Sequence, residues 1–163
     1  MNDANKSASG KGSAGSEVWF YHLTHWPLER ALPPLLEKTL ERGWRALVRV
    51  SSAERMALLD QHLWTWREES FLPHGSVSEE GADSQPILLT LDQDNPNKAD
   101  VQFVVDGATP QDMIGFERTI LIFDGRNEDA VAEARSEWRK AKEIDLAVSY
   151  WQQNDAGGFE KKA

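Results

Sequence analysis

The sequence predicts one α/β domain, a Rossmann-like layered fold whose mostly parallel central sheet is flanked by helices. Three observations lead there. Short aromatic or β-branched runs alternate with segments of helical periodicity, beginning at EVWFYHL. RTILIFD, 118–124, is a continuous apolar run of the kind expected of a central strand covered on both faces. A chain of 163 residues is long enough to enclose one core and too short for two.

The elements follow in order. Residues 1–16 are rich in Gly, Ser, Ala and Lys, bury too little to order themselves, and are expected to form a disordered arm. Val18 to Leu23 is the first strand. Pro27 suits a helix start, and Leu28, Ala31, Leu32, Leu35, Leu36 and Leu40 recur at helical spacing up to Gly43. Pro33-Pro34 predicts a kink or a late start within that helix. RALVRV, 45–50, is a short buried strand, and Ser52 caps a second helix with Ala57, Leu58 and Leu63 on its inner side. PILLTL (86–91) and VQFVVDG (101–107) are strands on either side of a polar loop, and residues 110–115 suit a short helix. A last helix runs from about Glu128 to Lys142. The domain is expected to occupy 17–151, followed by a loose tail over 152–163.

Composition excludes several functions. A formal charge of -9 repels phosphate backbones, so direct nucleic-acid binding is expected to be weak. With no cysteine there is neither a disulfide framework nor a thiolate zinc motif, which suits a reducing cytoplasm. No apolar run approaches a membrane span and no signal peptide is present, so the expected location is cytoplasmic.

Chemistry-bearing motifs are equally sparse. After the first strand the chain reads HLTHWPLER, with no GxGxxG, and GKGSAG at Gly10 precedes that strand and lacks P-loop spacing. His22 and His25 have no carboxylate completing a ligand set. Asp92 and Asp94 begin a calcium-like loop that Pro96 breaks, and Glu68 and Glu69 are adjacent and so diverge from any one substrate atom. No catalytic residue, metal or cofactor is expected.

The last helix carries the strongest positive signal. In EARSEWRKAKE, Arg135, Trp138, Arg139 and Lys142 stand at i, i+3, i+4 and i+7 and share one face. Three cations around an indole, on an acidic protein, suit a small anion or an acidic peptide better than bulk nucleic acid. Glu133, Glu137 and Glu143 are the carboxylates available to balance that face. Upstream, LWTWREESFLPHG gathers Trp64, Trp66 and Phe71. Leu63 and Trp64 read as packing, whereas Phe71 reads as a satellite core residue or as the apolar wall of a recognition pocket.

Taken together, VWFYHL, LLDQHLWTWREESFLPHG and ARSEWRKAK resemble the chi subunit family of bacterial DNA polymerase III holoenzyme, over most of 17–151. The most specific part is Leu59, Asp60, Leu63, Trp64, Glu69, Ser70, Phe71, Pro73 and His74. The resemblance implies a non-catalytic accessory protein of the clamp-loader assembly, associated with the replisome. It also implies two partners: the psi subunit or another clamp-loader component, and the acidic C-terminal tail of single-stranded DNA-binding protein. By the same resemblance Phe71 forms an apolar wall for the tail's terminal Phe. Arg135 and Arg139 meet its carboxylates, Trp138 packs alongside, and Lys142 widens the positive face. Leu63, Trp64, Pro73 and His74 are then mainly structural. Trp138 and Arg139 replace another aromatic and a lysine of the family pattern, keeping the physical role. The alternatives are a nucleotide- or phosphate-ester-handling enzyme on the same fold and an adaptor for a DNA repair helicase.

Overall fold

Alternation along the first strand sets out the layers. In β1 (Glu17–Leu23), Tyr21 and Leu23 join one buried cluster while Val18 and Phe20 join another on the opposite face. The computed structural model describes residues 16–64, 74–76, 81, 85–91, 95–110, 113–156 and 158–163. After β1 come α1 (Leu28–Glu41), β2 (Ala46–Arg49), α2 (Ala53–Trp64), β3 (His74–Ser76), β4 (Ile87–Thr90) and β5 (Val101–Val104). A 3-10 turn at Met113–Gly115, β6 (Arg118–Asp124), α3 (Glu128–Glu143), β7 (Ala147–Gln153) and β8 (Phe159–Lys161) complete the order.

The sheet runs β3-β4-β2-β5-β6-β1-β7-β8 and is parallel throughout except for the antiparallel pair β7–β8. The α/β class read from the sequence is therefore the one observed. RTILIFD is β6, between β5 and β1, with Thr119 to Leu121 buried. Helices α1 and α2 cover one sheet face through Leu28, Leu32, Leu36, Leu59 and Leu63, and α3 covers part of the other through Ala134 and Ala141.

Four local expectations change. Helix α1 is continuous through Pro33 and Pro34, since Leu28, Ala31, Leu32 and Leu36 all bury on its inner stripe and hold it despite the missing amide donors. Ser52 does cap α2, its hydroxyl accepting from the Arg55 amide at 3.2 Å, but the inner stripe is Leu59 and Leu63, with Leu58 53% exposed. Ser16 belongs to the domain: its hydroxyl donates to the carbonyls of Ile114 and Phe116, whereas residues 1–15 lie outside the described residues. The tail expected to be loose instead finishes β7 and turns back as edge strand β8, with Phe159 stacked on Tyr21 at 4.4 Å. The ladder with β7, backbone bonds between Tyr150 and residues 162–163, and the Phe159 ring together dock it.

Candidate functional site

Helix α3 starts at a strong cap. The Asn127 side-chain oxygen accepts from the amides of Asp129 and Ala130, and Glu128 and Asp129 favour the positive end of the helix. Ala134, Glu137 and Ala141 turn inward, and the two alanines let the helix lie close to the sheet. One step round, Arg135, Trp138, Arg139 and Lys142 form the face read from the sequence.

The balancing carboxylates are largely elsewhere. Glu137 is buried and meets Lys140 at 3.5 Å, and Glu133 lines a different crevice. Arg135, Arg139 and Lys142 are exposed, and none forms an ion pair among the described residues. Trp138 is half-buried, with its ring 5.3 Å from that of Phe20.

Beside this face opens a groove of about 410 Å³. Arg135, Trp138 and Arg139 form one wall; Phe20, His22, Phe123 and Tyr150 form the floor. Lys142 stands just outside, its Nζ 5.8 Å from the Trp138 ring. Parallel register assembles the floor, because His22 pairs across with Phe123 and Phe20 with Tyr150. Sequence reasoning missed these four residues. Period-two alternation along β1 puts Phe20 and His22 on a common face, but nothing local says that α3 covers it.

His22 is held tightly. Its Nδ1 lies 2.5 Å from the Tyr150 hydroxyl, its ring lies tilted 5.1 Å from that of Phe123, and a Cβ on Gly125 would overlap it. Burial lowers its pKa below the ordinary imidazole value, with Asp124 pulling the other way. A depressed histidine stabilises the fold above its unfolded pKa, about 6.5, and loses that contribution as pH falls through the folded value. Chemical denaturation is therefore expected to show declining stability just below that pH. His22→Asn should flatten this slope, whereas an unchanged slope would assign it to another group. The lowered carboxyls of Glu29 and Asp124 act only further into acid. His25 faces away and pairs with Asp155 at 2.9 Å. Among the described residues no three histidine or carboxylate groups converge on a metal position.

A second crevice, about 680 Å³, lies at the carboxyl ends of the strands, where open α/β sheets commonly bind ligands. Here Arg55 bridges Glu29 at 2.8 Å and Asp106 at 3.0 Å within it. The nearby β1–α1 turn has its amides engaged: those of Thr24, His25 and Trp26 all donate to Gln153 Oε1, at 3.1, 2.9 and 2.9 Å. The donors that a phosphate needs at such a junction already serve the protein's own carboxamide.

The remaining signature residues divide. Leu63 is a core residue of α2. Trp64 ends α2, and His74 opens β3, the edge strand five places from β1 in the sheet. Trp66, Glu68, Glu69, Ser70, Phe71, Pro73, Asp92 and Asp94 lie outside the described residues.

Residues 16–149 match the family model described as DNA polymerase III chi subunit, HolC. A curated relative, "Probable DNA polymerase III subunit chi" of Rickettsia prowazekii (strain Madrid E), is 25% identical over 103 residues, covering 63% of this chain. The match spans 62% of that relative's length.

Proposed function

Since the chain belongs to the DNA polymerase III chi subunit family, we propose that it is a non-catalytic accessory subunit of the holoenzyme that bridges the clamp-loader assembly to single-stranded DNA-binding protein. The α3 groove takes that protein's acidic C-terminal tail. One observation carries this reading: Arg135 and Arg139, without carboxylate partners among the described residues, flank Trp138 at the mouth of an aromatic-floored groove on an acidic chain. A terminal phenylalanine slots against Phe20, Phe123 and Trp138, and its carboxylate meets the guanidinium forks. Lys142 extends the field towards acidic residues further up the tail. Full burial of the Phe would contribute about 1.5–3 kcal/mol, and each charge-assisted bond contributes roughly 1.5–3. After association costs, affinity is expected on the order of micromolar, weakening with salt. An oligomeric protein coat displaying several tails compensates by multivalency. The link to the clamp loader runs through psi or another component of it.

The engaged amides of the β1–α1 turn support this reading over a nucleotide-handling enzyme. Calorimetric titration with an acidic peptide ending in Phe tests it. Saturable binding that is lost on amidating the terminal carboxylate supports the groove, and equal binding of both peptides rejects it. Phe71→Ala in the same titration tests the apolar wall that the family resemblance assigns to a residue outside the described ones, and is expected to weaken binding. Unchanged affinity would take Phe71 out of the pocket.

A further inference from the structure

On the face opposite α3, helix α1 and strands β1, β7 and β8 border another groove, of about 390 Å³. Trp19, Trp151 and Phe159 supply ring surface, while Lys38, Arg42 and Arg118 supply charge. Among the described residues no carboxylate lines it, in a chain with 27 acidic against 18 basic residues. Such a local reversal selects a ligand of opposite sign.

The rings are pre-arranged. Trp19 stacks on Trp151 with centroids 5.1 Å apart, and Tyr21 on Phe159 at 4.4 Å. Both indole N–H groups are engaged, Trp19 donating to Glu17 and Trp151 to Ser149, so these rings offer a ligand apolar surface alone. Arg118 is 13% exposed and lies over Trp19 at 3.8 Å, its nearest carboxylate being Glu17 at 3.7 Å. Its buried Nε has no acceptor among the described residues. Burial lowers its pKa, the mark of a cation short of compensation. Lys38, in the last turn of α1, and Arg42, at its C-cap, sit one turn apart, exposed and without an ion pair among the described residues.

We propose that this groove docks an acidic peptide segment of a partner protein, whose aromatic side chain packs against Trp19, Trp151 and Phe159 while its carboxylates meet Lys38 and Arg42. Clustered Trp and Arg in a partly enclosed site is the composition of a protein-binding hot spot. A single-stranded nucleic acid fits less well, because it needs successive platforms along a basic track and the chain around these three cations is net acidic. The two grooves lie on opposite sheet faces, so both can be filled at once. The inference does not depend on the α3 reading, since this groove needs no free chain end.

The test titrates the isotope-labelled full chain with an acetylated, amidated Asp-Glu-Asp-Phe-Asp-Glu peptide at physiological salt, following assigned indole signals by NMR. Saturable shifts at Trp19 and Trp151 are expected. Lys38→Glu with Arg42→Glu should weaken binding at least tenfold, and Lys38→Gln with Arg42→Gln by less. The same peptide with Phe replaced by Ala should lose most of its affinity. Arg135→Ala with Arg139→Ala should change nothing here, which keeps failure of this groove separate from failure of the tail pocket. The proposal is overturned by absence of saturation, by indifference to the α1 reversals, or by oligothymidine binding more tightly at these signals.

Discussion

Replacing Arg135 and Arg139 together by alanine should weaken binding of a Phe-ended acidic tail roughly 30- to 150-fold while leaving the fold intact. Each guanidinium contributes charge-assisted hydrogen bonds of about 1.5–3 kcal/mol. Both side chains are exposed, so solvent and salt screen a share of that. About 2–3 kcal/mol then remains for the pair. Stability should move by no more than about 0.5 kcal/mol, since neither arginine has an ion partner to lose among the described residues. Lysine at both positions should recover part of the affinity, because it keeps the charge but lacks the planar fork. Anisotropy with a labelled tail peptide reads all three. An affinity within threefold of the native protein in the double alanine variant would dismiss the groove as the tail site.

Gln153→Leu should be the most destabilising polar substitution in the β1–α1 region. One carboxamide oxygen accepts from three consecutive amides, and the side chain is 3% exposed. Helix α1 has no side-chain cap, as Pro27 occupies its N-cap position, and Gln153 holds the turn that leads into it. Leucine keeps the volume and orphans the three donors, a cost of about 2–4 kcal/mol after partial rehydration, or roughly 5–15 °C in Tm. Gln153→Glu supplies the same acceptor with a charge suited to a helix N-terminus. It also removes the Gln153 Nε2 group, which is buried without a partner among the described residues. Its stability should stay within about 1 kcal/mol of the native protein. If Glu proved as damaging as Leu in a thermal melt, packing rather than amide acceptance would be the role of Gln153.

How much was legible depended on the range of the determining interaction. The strand β6 was readable because a strand covered on both faces carries a continuous apolar run, and Ile120 to Phe123 supply one within seven residues. The α3 face was readable because helical geometry alone places Arg135, Trp138, Arg139 and Lys142 together. Leu58 was misread because two adjacent leucines fit the helical stripe equally well, and only the position of the sheet chose Leu59. The tail was misread because QQNDAGGFEKKA has no periodic pattern. Its order comes from long-range contacts: the ladder with β7, the Phe159 ring against Tyr21, and the Gln153 carboxamide on the amides of residues 24–26, more than a hundred residues away in sequence.

The sequence by itself therefore determined the α/β class, the central strand, the cationic helix face and the membership of the chi family. Each is encoded in local periodicity or in a short specific motif. Only the tertiary structure decided what that face looks onto. The floor of Phe20, His22, Phe123 and Tyr150 exists because three parallel strands adopt one register beneath α3. Likewise only the fold brought Gln153 to the amides of residues 24–26, where open α/β proteins often hold phosphate. Strand order and register follow from the burial of whole faces, a sum over the entire sheet, and no window of neighbouring residues contains that sum.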